Sequence, residues 1–176
     1  ALRYMPTLLN GHSVEWWSQK HSMHHTFTNE EHLDNDVMME PFFFLRPPSE
    51  SGRPDNALRK YQHIYGYPLL SIMFWLWRFH SVEGAWKRKD KKELVLLGVN
   101  YLWLATCMPW QVAIGSVFFS GFIVASLVSA THQSEEIMEY GEGAEYVEGQ
   151  FRSTRDADTV FGPLETWIWG GMDTQL

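Results

Sequence analysis

QVAIGSVFFSGFIVASLVSAT, residues 111–131, runs without a single Asp, Glu, Lys or Arg. A helix rises about 1.5 Å per residue, so this run is long enough to cross the ~30 Å hydrocarbon core of a bilayer. Gly115, Gly121 and the serines along it suit close helix packing in lipid. Upstream lies a shorter apolar segment, Glu93 to Met108, joined to it by Met108-Pro109-Trp110. Proline at the joint predicts a hairpin of two helices. The plainer alternative is a pair of buried helices in a large soluble protein. The basic run KRKDKK, residues 87–92, precedes the hairpin. By the positive-inside rule that end faces the cytoplasm, and a two-span hairpin brings the chain back to the same side.

Composition narrows the class. The 176 residues are 45% hydrophobic and 15% aromatic, with a formal charge of −7. The acidic excess lies before residue 60 and after residue 132, leaving an apolar middle. Mean hydropathy is slightly below zero, so much of the chain meets water. Outside residues 87–92 there is no cluster of Lys and Arg, which argues against nucleic acid as a partner. Cys107 is the only cysteine, which excludes an intrachain disulfide and a CxxC pair. Its apolar setting predicts a small buried side chain. The opening Ala1-Leu2-Arg3-Tyr4-Met5-Pro6 has no initiator methionine and no signal pattern, and reads as the start of a fragment.

The chemistry is concentrated in GHSVEWWSQKHSMHHTFTN, residues 11–29. A helix starting near Ser13, capped by its hydroxyl, steps about 100° per residue and puts His21, His24 and His25 within an arc of about 100°. Three imidazoles on one face form a metal-ligand arrangement, although the spacing does not name the metal. A polar face that is merely rich in histidine is the bland alternative. Trp16 and Trp17 carry amphipathic rings suited to a membrane interface. Residues 28–40 read as a loop in which Asp34 and Asp36 can accept hydrogen bonds from ligand imidazoles, with His32 a solvated histidine. Residues 46–56 form a surface loop by their proline and glycine content.

From Leu58 to Trp77 the pattern is aromatic and apolar, broken by Gly66 and Pro68. The piece from Pro68 to Trp77 is too short to span, which predicts an interfacial or re-entrant helix with His63 and His80 as polar residues at its ends. His132 stands where the 111–131 segment emerges. It is either a fourth ligand or a capping residue, with Glu136 one turn further to orient it. Residues 134–149 are acidic and glycine-rich and read as a solvated loop.

These segments resemble the membrane fatty acid desaturases of the front-end type, whose hallmark is three histidine boxes. GHSVEWWSQKHSMHH resembles the approach to the second box, HxxHH. Thr28-Asn29 with the later Asp34-Asn35-Asp36 resembles its exit. WGGMDTQL, residues 169–176, resembles the approach to the third box, which Gln175 would open. The resemblance implies an all-α integral membrane fold: a cytoplasmic histidine-box cap (12–93), a transmembrane hairpin (94–131) and a cytoplasmic segment (132–176) leading to the third box. It implies His21, His24, His25 and His132 as ligands of a non-haem di-iron centre, with Trp17 and Lys20 lining the substrate entry. Its implied partners are an acyl-lipid or acyl-CoA substrate, cytochrome b5 as electron donor and membrane lipid. The implied location is multi-pass in the endoplasmic reticulum, with the site facing the cytoplasm.

An unactivated C–H bond has no acidic proton, so a general base cannot start such a reaction and an oxidising metal centre is needed. The same centre serves a lipid hydroxylase or a sphingolipid desaturase, which remain alternatives. From another class, a non-enzymatic metal-binding or metal-moving membrane protein would place ionisable residues within the spans. Between Leu94 and Thr131 there are none beyond Tyr101 and Cys107.

Overall fold

The computed structural model describes residues 2–46, 55, 57–132, 137–139, 145–170 and 172–174. Most of the 46–56 loop, Glu136 and Gln175 therefore lie outside the described residues. The fold is all-helical. A 3-10 turn at Leu2–Tyr4 leads into α1 (Met5–Asn10), α2 (Val14–Thr26), α3 (Ala57–Leu70) and α4 (Met73–Lys87). There follow α5 (Lys91–Cys107), α6 (Trp110–Thr131), α7 (Tyr146–Ser153) and α8 (Pro163–Trp169). Among the described residues the one β-type pairing is an isolated parallel bridge between Glu30 and Met138. The chain divides into two compact units, Ala1–Ser22 with Leu69–Ile123, and Met23–Pro68 with Val124–Leu176.

In the first unit α5 packs against α1 and α4. Leu97 and Ala85 are almost fully buried there. Each leucine-sized side chain so buried contributes about 1.5–3 kcal/mol. The polar links are specific as well. Asn100 on α5 donates from Nδ2 to the carbonyls of Leu8 and Leu9 at 2.8 and 3.1 Å, satisfying the open end of α1. Gly11 turns that end with a left-handed φ of 69°, and a Cβ there would lie 2.4 Å from Asn100 Oδ1. Only glycine fits both demands.

Ser13 caps α2 as the sequence predicts, its Oγ accepting from Trp16 N–H at 3.1 Å. The same hydroxyl donates to buried Glu93 at 2.7 Å, and Arg88 donates to both Ser13 and Glu93 at 2.9 Å. The start of the histidine helix is thereby fastened to the α4–α5 corner.

The break between α5 and α6 falls at the expected proline, with Met108 extended ahead of Pro109. Among the described helices, only α6 is both long and apolar enough to cross a membrane, and 17% of its most apolar window is buried. At Gly121 a Cβ would meet the Ser71 carbonyl at 2.6 Å, so the backbone of α6 approaches the α3–α4 joint closely. Two expectations need correction. Gly66 and Pro68 do not break the helix: α3 runs through both to Leu70, at the cost of the hydrogen bond that Pro68 cannot donate, and the break falls at Ser71-Ile72 ahead of α4. Cys107 is exposed rather than buried, since it ends α5 on a helix with much of its apolar surface turned outward.

In the second unit, residues 27–46 lack helix, and the aromatic run 42–44 is laid along α3. Gln62 clasps the Phe44 backbone, accepting its N–H at 2.8 Å, and Tyr65 donates to the Phe42 carbonyl at 2.8 Å. Gly66 leaves room for the Phe43 ring. Arg46 reaches Glu31 at 3.0 Å and the Ile137 carbonyl at 2.6 Å, fastening this loop to the segment after α6. Helix α7 occupies the end of the stretch expected as a solvated loop. Its Ser153 hydroxyl bonds the Gly149 carbonyl and both residues are buried, so tertiary packing overrides an acidic, glycine-rich composition.

Candidate metal centre

Two pieces of chain distant in sequence bring three imidazoles of the second unit together. The end of α2 carries His24 and His25, and the residue after α6 is His132. The His24 and His132 rings lie 4.6 Å apart between centroids, His24 and His25 5.3 Å, and His25 and His132 5.7 Å. His24 and His132 are buried, at 4% and 3% exposure. His132 keeps the last helical bond of α6, its N–H to the Val128 carbonyl at 3.1 Å. Arg155 caps the same end, donating from its backbone to Thr131 O and from Nε to Ala130 O.

Asp34 orients His24. Its Oδ2 lies 2.8 Å from His24 Nδ1 and also accepts the Asn29 N–H at 2.9 Å, while Oδ1 accepts the Asp36 N–H at 2.8 Å. A proton on Nδ1, held by this carboxylate, puts the ring lone pair on Nε2, the form in which imidazole binds a metal. Burial pushes the Asp34 carboxyl up, but the bond from His24, its interaction with that ring and the two backbone N–H groups hold it below the usual carboxylate range. Burial, and then the neighbouring His24, push His25 below the ordinary histidine value, against a smaller opposing effect of Asp34. That favours its neutral, ligating form. Ligand atoms of His24, Asp34 and Asp36 also lie within 4.8 Å of one another. Both Asp34 oxygens already accept hydrogen bonds, so the carboxylate is better suited to holding His24 than to holding an ion.

Asn29, which sequence reasoning gave no role, ties the two pieces together. It is fully buried, with a left-handed φ of 59°, and its Nδ2 donates to the carbonyls of His132 at 2.7 Å and Ser153 at 3.1 Å. The one signal in the sequence is an asparagine just past a helix end, where left-handed backbone is common. Gln150 on α7 adds a bond to the His25 carbonyl at 3.1 Å, and the Thr28 hydroxyl bonds that of His24 at 2.9 Å.

Of the other residues singled out in the sequence, His21, Trp17 and Lys20 fall in the first unit. His21, one turn before His24 on α2, is exposed and stacks on Trp17 at 4.9 Å. Trp17 packs on Trp77 at 4.8 Å, and the Lys20 ammonium lies 5.9 and 5.6 Å from those two rings. His12, also unforeseen, packs edge-on against Phe74 and faces Arg78 at 3.2 Å. Burial, and then the Arg78 charge, lower its pKa to about 4, so it is neutral at pH 7. His32 is exposed in its loop, as expected.

The family model described as fatty acid desaturase matches residues 1–176. Among curated relatives, the acyl-lipid 8-desaturase of Rebecca salina is 28% identical over 144 aligned positions, 79% of this chain and 34% of its own length. The Delta(6)-fatty-acid desaturase fat-3 of Caenorhabditis elegans is 25% identical over 98% of this chain and 44% of its own. The Delta(8)-fatty-acid desaturase of Euglena gracilis is likewise 25% identical, over 96% and 45%. The chain thus spans less than half the length of these relatives. No solved structure matches significantly.

Proposed function

The chain belongs to the fatty acid desaturase family, and we propose that the complete protein introduces a double bond into an acyl chain carried as an acyl lipid or acyl-CoA. The carrying observation is the set of three imidazoles, His24, His25 and His132, with His24 fixed by Asp34. These three, with His21 a turn earlier on α2, are the ligands this chain would contribute to two non-haem iron ions. The donor set fits: neutral imidazoles backed by a buried carboxylate suit a divalent iron site. When bound, iron supplies the dioxygen chemistry that removal of hydrogen from an unactivated methylene requires.

The remaining roles belong to the chain. Asp34 keeps the Nδ1 proton of His24 in place, and Asn29 fixes the backbone of His132. Trp17 and Lys20 line the substrate entry, with an apolar ring for the chain and an ammonium for an anionic headgroup. Two hydrogens leave adjacent carbons and O2 becomes two waters. The two further electrons come from cytochrome b5 and the two further protons from solvent. Helices α5 and α6 form a hairpin in the endoplasmic reticulum membrane, with the histidines on the cytoplasmic side.

The test is expression of the full-length protein in a host lacking its product, with fatty acid profiling and iron analysis. A new unsaturated product, lost together with iron in His24→Ala and His132→Ala, is expected. Product and iron retained in both variants would sink the ligand assignment, and a hydroxylated product would sink the desaturase reading.

A further inference from the structure

We propose that the corner between α4 and α5 binds the headgroup of an anionic phospholipid, a site that rests on the membrane reading above. Along α4, Trp75, Leu76, Phe79, Val82 and Trp86 recur at helical spacing and all are exposed, Trp86 by 72%. On α5, Val95, Val99, Leu102 and Trp103 make a second exposed stripe. The α4 stripe ends, and the α5 stripe begins, at residues 87–92. Apolar side chains, then a tryptophan, then lysines is the order of layers met on leaving a bilayer: hydrocarbon, interface, phosphate.

Among the described residues, the acidic groups of this corner leave three of its four lysines without an ion pair. Glu93 is buried and bonded to Arg88 and Ser13. Asp90 caps α5 through the N–H groups of Lys92 and Glu93, both at 3.0 Å. Glu83 pairs with Lys87 at 2.6 Å. Lys89, Lys91 and Lys92 stay exposed, and among the described residues none of them forms an ion pair. Lys89 makes the turn with a φ of 56°, and the Lys92 ammonium sits 4.2 Å from the Tyr4 ring centroid. Three ammonium groups within four residues attract a headgroup of net negative charge. They gain less from a zwitterionic one, whose own cation opposes them. The adjoining apolar stripes favour a lipid over a soluble acidic protein.

Full-length protein in uncharged detergent is titrated with dioctanoyl phosphatidylglycerol, dioctanoyl phosphatidylcholine or glycerol 3-phosphate while its unfolding temperature is followed. Only phosphatidylglycerol is expected to raise it. The triple variant K89Q/K91Q/K92Q should weaken that binding on the order of 100-fold at low salt, and the triple arginine variant should restore it. An equal response to phosphatidylcholine or to glycerol 3-phosphate, or an unchanged glutamine variant, overturns the site. So does displacement of the lipid by a soluble acidic protein. Release of the protein from membranes by alkaline carbonate defeats the membrane reading instead, so the two failures are distinguishable.

Discussion

The two ends of α2 are built differently. Its first turn is closed by a side-chain clamp of Ser13, Glu93 and Arg88 and packed with tryptophans. Its last turn is surrounded by Asp34, Asn29 and Gln150, whose bonds go to the histidine segments themselves: the His24 ring and the backbone carbonyls of His25 and His132. Polar groups at the first end satisfy one another and hold a helix in place. Those at the second end set tautomer and orientation. The difference teaches that burial of charge alone does not mark a reactive site; what marks it is where the hydrogen bonds point.

The comparison can be broken first at the clamp. Glu93→Ala leaves the Arg88 guanidinium against the cap without its carboxylate, and should cost about 3–5 kcal/mol of stability. Iron bound per folded molecule should hardly change. Chemical denaturation alongside metal analysis checks both, and iron loss in step with helix loss would erase the distinction between the ends.

The next effect is a pH dependence confined to the first unit. His12 is lowered to about 4 in the folded protein. Its contribution is therefore fully present above the unfolded value near 6.5 and is lost as pH falls from there towards 4. Over that window the loss should approach about 3 kcal/mol. His12→Gln should flatten this part of the stability profile, read from urea midpoints between pH 7 and pH 4. An unaltered slope would show that burial and the Arg78 charge do not hold the ring neutral.

The smallest change sharpens the second end. Asp34→Asn keeps the shape but removes the charge that holds His24 Nδ1–H, and iron affinity should fall about 10–100-fold. Competition with a chelator measures it. A variant that binds iron as tightly as the parent would return Asp34 to an ordinary loop-forming role.

Local chemistry made much of this legible. The Ser13 cap, the α2 helix, the joint at Met108-Pro109 and the support of His24 by Asp34 all follow from short-range spacing. What stayed hidden depends on distant neighbours. The helix Tyr146–Ser153 forms although its surroundings look like a loop, because Gly149 and Ser153 are buried against the fold. Asn29 shows its role only once His132 and Ser153, more than a hundred positions away, lie beside it. His12 and Arg78 meet across 66 residues and share no local pattern.

His132 follows directly on a 22-residue helix and is held beside His24 by that helix's last turn. Adding one residue between Val124 and Thr131 would rotate His132 by about 100° and advance it about 1.5 Å along the axis. Its ring would then leave His24. The last two turns of α6, from Val124 to Thr131, therefore act as a ruler: the number of residues there is fixed by the histidine that follows them.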